Sequence, residues 1–246
     1  MKAEGQLSGA EMQINGSVMP LEWESEFFGY PIGRLIPGGT QSLQAGKLNH
    51  YRLLQARIAA EDHSGLAIAN QLGFQLAEGE AGLVLAILQT ERQPGIRIAR
   101  ESQIPELRQV ASQAFTQSRF RAPWFSSADC QRFYAQWIEN AVTGRFDDQC
   151  LVAFGASGEL QGFVSVRETG EDARIGLLAV VPEARGKGIG QRLLYAAADW
   201  GRVRRLRHLH ITTQLSNVVA MRLYLRSGAR LENTAYWLYR KTDDSF

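Results

Sequence analysis

Hydrophobic and polar positions form their clearest patterns in the second part of the chain, from Ile96 onward. A short alternating strand there is followed by two amphipathic helices, the first capped by Ser102 and the second beginning near Asp129. Three strands, a helix, a strand, a short helix over 217–227 and a long final strand complete the series. The order β-α-α-β-β-β-α-β-α-β predicts an α/β (mixed α+β) fold in which helices flank a central, mixed, twisted sheet.

The first part of the chain shows weaker patterns. About eleven residues rich in Gly, Ser and Gln open it and predict a flexible tail over 1–11. The spacing of Tyr51, Leu54 and Ile58 fits one face of a helix. Residues 72–88 predict a pair of strands joined by a turn at the acidic stretch AEGE.

A polar stretch containing Pro-Gly, QTERQPG at 89–95, predicts a boundary between two domains. We therefore expect an N-terminal domain over 12–92 and a second domain over 93–246. An internal similarity supports two domains of related shape, because 69–87 and 224–240 both show the end of a helix, a glycine, a strand, an acidic turn and a strand. A generic helix–glycine–strand junction is the alternative explanation.

Three alternate glycines, Gly186, Gly188 and Gly190, join a predicted strand to a predicted helix in the segment RGKGIG. Because glycine has no side chain, backbone N–H groups there can point into one concavity. The helix dipole and the charges of Arg185 and Lys187 add positive potential, so a pyrophosphate fits this loop. The spacing departs from both the Walker A loop and the dinucleotide-binding fingerprint. A tight glycine turn with solvated basic side chains is the alternative.

Composition and charge exclude several classes of function. The net charge is +2, from 27 basic and 25 acidic residues, so no overall attraction to nucleic acid or a membrane surface is expected. The start lacks a signal peptide and no apolar run reaches the ~18 residues that span a bilayer, which favours a cytoplasmic protein without membrane insertion. Cys130 and Cys150 are too few for a disulfide framework. The pair His208 and His210 has no third ligand in view, so no metal is expected.

The loop and the order of elements resemble the GNAT N-acetyltransferases, whose acyl-CoA loop follows the pattern [QR]-x-x-G-x-[GA]. Arg185, Gly188 and Gly190 match this pattern, and the resemblance covers residues 96–240. It implies acetyl-CoA as co-substrate, with the pantetheine arm beside a strand that splays from its neighbour and the thioester near Leu178. The implied contacts with acetyl-CoA are Leu178, Ala179, Val180, Arg185, Gly186, Lys187, Gly188, Ile189, Gly190 and Asn217.

Tyr224 follows Asn217 by seven residues on one predicted helix. This spacing places both side chains on the same face, about 10 Å apart along the axis. The resemblance implies that Tyr224 is the general acid that protonates the departing thiolate. A free phenol and a free thiol have pKa values of about 10 and 8.5, so this transfer needs little driving force. The alternative is a half-buried core tyrosine beside Met221 and Leu225.

The acceptor side of the reaction is less clearly marked. No residue resembles a covalent acyl carrier, so we expect direct attack by an amine in a ternary complex. In the segment SRFRAPWF, Arg119 and Arg121 would bind a diphosphate, and Trp124 would stack on a base or sugar. The alternative is that these side chains pack the segment against the sheet. Glu78 and Glu80 are candidates for accepting the amine's proton through water, with a solvated turn as the alternative.

Four further segments, LEWESEFFG, SRFRAPWF, FYAQWIENAV and NTAYWLYR, lie outside the CoA-binding pattern and resemble one branch of the family across 20–240. That resemblance implies a nucleotide-linked amino sugar as acceptor, in the synthesis of a surface-glycan precursor. It also implies a truncated GNAT-like domain over 12–92 and a catalytic GNAT domain over 93–246. The alternatives are an N-acetyltransferase for proteins, peptides or small amines, and a CoA-binding module without activity. The oligomeric state stays open, with a homodimer as one alternative.

Overall fold

A computed structural model of the 246-residue chain describes residues 14–43, 45–87 and 92–242. The predicted tail over 1–11 and part of the predicted boundary segment lie outside the described residues. The strands are β1 Ile14–Pro20, β2 Ile32–Leu43, β3 Leu53–Ala59, β4 Gln75–Ala86, β5 Ile96–Ile98, β6 Gln149–Phe154, β7 Leu160–Thr169, β8 Asp172–Val180, β9 His208–Gln214 and β10 Arg230–Lys241. The α-helices are α1 Glu22–Phe28, α2 Ala45–Leu48, α3 His63–Gln71, α4 Ile104–Ala114, α5 Ser127–Val142, α6 Ile189–Val203 and α7 Val218–Arg226.

The chain divides into two compact units. The first contains the described residues up to Ala77 together with those from Tyr236 onward, and the second runs from Glu78 to Ala235. Strand β4 therefore begins in the first unit and ends in the second, and β10 does the reverse. This division differs in position from the predicted boundary between residues 92 and 93.

In the first unit the strands are ordered β1-β2-β3-β10, with β1 antiparallel to β2 and β2 parallel to β3. The helix predicted through Tyr51, Leu54 and Ile58 is wrong, because this segment forms strand β3. Leu53, Leu54 and Ala56 are buried, as is Ile58, so both faces of the strand are covered. An internal strand of this kind is apolar on both faces and loses the alternation that marks a strand in the sequence.

The predicted pair of strands over 72–88 is a single strand, β4. The acidic stretch AEGE does not turn, because Glu78 is buried and Glu80 pairs with Gln214 of β9. Gly79 meets a packing requirement instead: a Cβ there would lie 2.6 Å from the side chain of Leu215. The glycine therefore permits a close approach within a continuous strand.

In the second unit the strands are ordered β4-β9-β8-β7-β6-β5. The β8–β9 pair is parallel and the other pairs are antiparallel, which confirms the predicted mixed sheet with flanking helices. Helix α5 begins at Ser127, capped by the Ser126 hydroxyl, which accepts from the Asp129 amide at 3.0 Å. The predicted cap at Ser102 is wrong, because a 3₁₀ turn over Glu101–Gln103 precedes α4 and carries this serine. Among the described helices, none is both long enough and apolar enough to cross a membrane.

The internal similarity extends over a whole strand–helix–strand segment. Elements β3, α3 and β4 have 7, 9 and 12 residues, and β9, α7 and β10 have the same lengths. Each later element begins 155 residues after its counterpart, as for Leu53 and His208 (208 minus 53). The caps correspond as well, because Asp62 accepts from the Gly65 amide and Asn217 from the Ala220 amide. The shared pattern is therefore structural and not a coincidence of glycines.

Candidate active site

Two parallel strands part in the middle of the second unit. Strands β8 and β9 pair at Ala173 with Leu209 and at Arg174 with His210. Within the described residues, no pairing joins them beyond Arg174, whereas β8 stays paired with β7 as far as Val180. The edge of β8 that faces β9 therefore offers backbone N–H and C=O groups to a ligand, in the manner of a sheet edge.

The RGKGIG loop follows β8 and leads into α6. Gly186 and Gly188 have φ values of 73° and 77°, in the left-handed region that favours glycine. Gly190 serves close packing, since a Cβ there would lie 3.0 Å from the Leu223 side chain of α7. In the described part of the chain, no backbone amide from 186 to 190 donates to a backbone acceptor. These amides are therefore open to an anion at the start of α6.

The RGKGIG loop carries two positively charged side chains. Arg185 and Lys187 are exposed, and the Arg185 Nε–H donates to the Val180 carbonyl at 3.3 Å. This bond ties the loop to the end of β8. The Ile189 side chain is buried in the core, so only its backbone can contribute to an anion site. The positive end of the 15-residue helix α6 adds to the potential of the two cations.

Tyr224 lies in α7 with 5% of its surface exposed, in the core cluster that also contains Ile189 and Leu193. Burial raises the pKa of Tyr224 to about 12, so the phenol is protonated at neutral pH. Asn217 is the N-cap of the same helix, and its Oδ1 accepts from the Ala220 amide at 3.1 Å. The side-chain carbonyl oxygen of Asn217 is therefore used in capping the helix. The predicted contact with pantetheine would be made by its side-chain N–H₂ group.

The structure brings Glu78 and Arg121 together, although 43 residues separate them. The Arg121 Nη1 donates to Glu78 Oε2 at 2.6 Å and to the Ser118 carbonyl at 3.0 Å. The other carboxylate oxygen of Glu78 accepts from the Ser216 hydroxyl at 3.4 Å. Ser216 directly precedes Asn217, so one buried carboxylate links the SRFRAPWF segment to the start of α7.

The remaining acceptor candidates differ in exposure. The Arg119 guanidinium lies 4.2 Å from the centre of the Phe120 ring, and Phe120 is buried. Trp124 is also buried, which favours a packing role for this ring. Glu80 is partly exposed and lies on β4 opposite Gln214, the last residue of β9.

Two features of this region were missed in the sequence. Ser216 carries no motif, and only the fold reveals its contact with Glu78. Strand β8 also contains a bulge, where Gly176 and Leu177 together lie opposite Ser165 of β7. A glycine inside a strand pattern is a recognised sign of a bulge, so Gly176 was the available signal.

The surroundings of Cys130 and of the two histidines determine what these side chains can do. Burial raises the pKa of the Cys130 thiol, which opposes the reactive thiolate that its place at the start of α5 would favour. His208 Nδ1 and His210 Nε2 each lie 3.1 Å from an oxygen of Asp172. Over residues 14–43, 45–87 and 92–242, no group of three or more His, Cys, Asp or Glu is arranged to hold a metal ion.

Parted parallel strands, a loop of open amides and a buried tyrosine on the neighbouring helix together define the class of acyl-CoA-dependent acyltransferases. The chain belongs to the GNAT acetyltransferase family, whose family model, Acetyltransferase (GNAT) family, matches residues 105–229. Over 231 residues it is 46% identical to dTDP-fucosamine acetyltransferase of Escherichia coli O6:H1 (strain CFT073). That alignment covers 93% of this chain and 100% of the relative.

Solved structures confirm the fold. A functionally unknown conserved protein from Staphylococcus epidermidis ATCC 12228 superposes with a TM-score of 0.61 at 18% identity, covering 97% of this chain and 99% of that one. A tandem GNAT protein from the clavulanic acid biosynthesis pathway gives a TM-score of 0.58 at 15% identity, covering 89% and 77%. At these identities the likeness establishes the GNAT fold alone.

Proposed function

We propose that this protein transfers the acetyl group of acetyl-CoA to the 4-amino group of dTDP-4-amino-4,6-dideoxy-D-galactose, also called dTDP-fucosamine. The near full-length similarity to dTDP-fucosamine acetyltransferase supports this acceptor. Membership of the GNAT family supports acetyl-CoA as the donor. The product would enter the synthesis of a surface glycan, enterobacterial common antigen.

The observation that carries the proposal is the open amide loop beside the parted strands. We assign the pyrophosphate of acetyl-CoA to the amides of 186–190, with Arg185 and Lys187 adding charge. The pantetheine arm would pair with the free edge of β8 at Leu178–Val180, as an added strand does. This placement puts the thioester near Leu178 and holds it against a fixed backbone.

The reaction then proceeds by direct attack in a ternary complex. The neutral sugar amine adds to the thioester carbonyl, a C–N bond forms, and the C–S bond breaks as the tetrahedral intermediate collapses. The departing sulfur takes the proton of the Tyr224 hydroxyl, and the amine nitrogen loses its extra proton to water. The phenolate left on Tyr224 then regains a proton from water, which restores the starting state. A free phenol and a free thiol have nearly matched pKa values, but burial raises the pKa of Tyr224 to about 12. We infer that the proton moves as the C–S bond breaks, because the sulfur then lies in the same dry surroundings, which raise its pKa as well.

On the acceptor side we assign the diphosphate of the nucleotide sugar to Arg121, with Arg119 as a second cation. The Arg121 side chain is 43% exposed, and Glu78 holds one of its nitrogen atoms in place. A guanidinium has five N–H donors in a planar fork, which suits a phosphate oxygen pair. Glu78 is thereby a positioning residue, and Glu80, two residues along β4, stays the candidate for accepting the amine's proton through water.

Thiol release from acetyl-CoA tests the proposal. The purified chain would be assayed against dTDP- and UDP-linked amino sugars, N-terminal peptides and simple amines, with CoA binding followed by calorimetry. We expect release with the dTDP-linked 4-amino sugar and none with peptides. Release with peptides alone would support a protein acetyltransferase, and CoA binding without release from any amine would support a module without activity.

A further inference from the structure

A fully buried carboxylate in the second unit has no part in the mechanism above. Asp147 is 0% exposed and accepts three side-chain hydrogen bonds. The donors are Trp137 Nε1 at 3.0 Å, the Ser165 hydroxyl at 2.6 Å and Arg167 Nη1 at 2.6 Å. Burying a carboxylate costs free energy unless hydrogen-bond donors pair with it. This complete set of donors therefore indicates a site built around the charge of Asp147.

One of these donors connects Asp147 to the bulge in β8. The Ser165 hydroxyl donates to Asp147 and accepts from the Leu177 amide at 2.8 Å. A bulge leaves one residue unpaired in the ladder, and here a side-chain hydroxyl takes the place of the missing partner. Gly176 completes the arrangement, because a Cβ there would lie 2.1 Å from Asp147 Oδ2. Only glycine leaves room for the carboxylate.

The bulge lies at a decisive point of the strand. Pairing of β8 with β9 ends at Arg174, just before Gly176 and Leu177. The segment assigned above to pantetheine and the thioester, Leu178–Val180, starts immediately after them. Because strand residues alternate with a period of two, a shift by one residue exchanges the groups that face each side. The bulge therefore determines which backbone groups of Leu178–Val180 face the gap between β8 and β9.

We propose that Asp147, acting through Ser165, fixes this bulge and so aims the backbone of Leu178–Val180 at the thioester. The inference rests on the proposed binding of acetyl-CoA beside β8. Asp147 and Ser165 are positioning residues, since neither is assigned a contact with the substrates. The hydroxyl is suited to this role because it donates to a charge and accepts an amide at once, and linked hydrogen bonds of this kind strengthen each other.

The test compares Ser165→Ala and Ser165→Cys with a matched control, Arg167→Met, in the full chain. Ser165→Ala removes the link between Asp147 and Leu177. We expect kcat to fall about tenfold or more, because small misplacements of reacting groups cost this much. The dissociation constant for CoA should rise by a smaller factor than kcat falls, since the pyrophosphate loop at 186–190 is untouched and only the contacts of Leu178–Val180 with pantetheine change. Cysteine keeps a weak acceptor at the same place, so Ser165→Cys should be intermediate.

The control removes another partner of the same carboxylate. Arg167→Met leaves the Ser165–Leu177 hydrogen bond in place but weakens the pairing of Asp147, so it should lower the melting temperature and reduce kcat by a clearly smaller factor than Ser165→Ala does. Amide hydrogen exchange over 172–181 supplies a readout that does not need turnover, and it should become faster in Ser165→Ala but not in Arg167→Met.

The outcomes separate the two proposals. Equal losses of kcat in Ser165→Ala and Arg167→Met, or unchanged exchange over 172–181 in Ser165→Ala, would overturn the positioning role. If Ser165→Ala does not fold, the same comparison is made with Ser165→Cys. If the wild-type chain releases no thiol with any nucleotide-linked amino sugar, the proposed function fails, and the exchange data still decide whether Asp147 and Ser165 hold the bulge.

Discussion

Burial changes the chemistry of a single side chain at Tyr224. Its seven-residue spacing from Asn217 places it on the correct face of a helix, but spacing carries no information on solvent exposure. The fold covers the ring to 5% exposure and raises the pKa of the phenol to about 12. The phenol therefore keeps its proton over the whole neutral range, as the proposed role of proton donor requires.

Tyr224→Phe tests this role directly. We expect kcat to fall by about 10²-fold, the size of effect typical of a general acid. CoA affinity should change little, because the pyrophosphate loop is elsewhere. Steady-state kinetics and calorimetry with CoA measure the two effects. Tyr195→Phe, which alters a partly buried tyrosine on α6, is the control and should keep wild-type kcat.

The raised pKa of Tyr224 predicts a specific alkaline behaviour. An unfolded tyrosine ionises near pH 10, whereas Tyr224 in the folded chain holds its proton to about pH 12. Between these values the folded state binds the extra proton, so stability is undiminished below pH 10 and falls as the pH rises toward 12. The difference between tyrosinate absorbance titrations of wild type and Tyr224→Phe isolates this group among the seven tyrosines. A midpoint near 10 would contradict the prediction.

Arg121 offers a second test at the scale of a residue. Arg121→Ala should raise the KM for the nucleotide sugar by about tenfold or more, since one charged hydrogen bond contributes about 1.5–3 kcal/mol. CoA affinity should be nearly unchanged. Arg132→Ala removes an exposed arginine paired with Asp129 on α5 and serves as the control. An equal loss of affinity for both substrates in Arg121→Ala would show that this arginine only holds the loop in place.

At the scale of elements, the junction between β8 and α6 combines two kinds of glycine. Gly186 and Gly188 have left-handed backbone conformations, whereas Gly190 permits α6 to approach α7. The two requirements are separate, and both were met by one short sequence pattern. The open amides at the start of α6 follow from this combination.

Gly188→Ala should weaken CoA binding more than tenfold. Alanine in the left-handed region costs about 1–2 kcal/mol, which favours a backbone change that turns the amides away from a common centre. Gly170→Ala is a matched control, since Gly170 has a φ of 63° and, like Gly188, nothing within 4 Å of an added Cβ. Calorimetry with CoA should show the loss in Gly188→Ala alone, while thermal melting shows comparable destabilisation in both.

Two substitutions of Asn217 distinguish its capping of α7 from its proposed contact with pantetheine. Asn217→Ala should destabilise the fold by about 1 kcal/mol, and Asn217→Asp should restore this, because aspartate caps as well as asparagine. Aspartate has no amide N–H to donate to pantetheine, so Asn217→Asp should keep a raised KM for acetyl-CoA. A wild-type KM in the folded aspartate variant would leave Asn217 with capping alone.

At the scale of the whole molecule, each unit depends on a strand that the other unit begins. Strand β10 starts in the second unit and ends in the first, and β4 starts in the first and ends in the second. A unit that lacked its shared strand would expose backbone hydrogen-bonding groups and part of its core. We therefore expect the two units to unfold together.

Leu238→Ala tests this coupling through the core of the first unit, where Leu238 is 4% exposed. Its replacement should cost about 2–5 kcal/mol and lower a single melting transition of the entire chain. Leu231→Ala, on the same strand at 52% exposure, should change stability by less than about 0.5 kcal/mol. Calorimetry would contradict this if Leu238→Ala split the melting curve into two transitions.

Much of the second unit was predictable from the sequence, and less of the first. The strands and helices after residue 149 carry clear alternation or a helical stripe, and the structure has them in the predicted order. Strand β3 was mistaken for a helix because both of its faces are buried, and β4 was divided because a buried glutamate and a glycine in close packing resemble a turn. Local pattern fails wherever burial is set by distant parts of the chain.

The sequence by itself determined the loop at 185–190 and the helix that bears Tyr224, because these depend on neighbours in the chain and on backbone conformations that glycine allows. The class of donor followed from the resemblance of that loop to the GNAT family. The tertiary structure alone decided the pairing of Glu78 with Arg121, the link from Asp147 through Ser165 to Leu177, and the dry surroundings of Tyr224. Each of these depends on groups far apart in sequence that meet only when the sheet forms, and on the exclusion of water that follows.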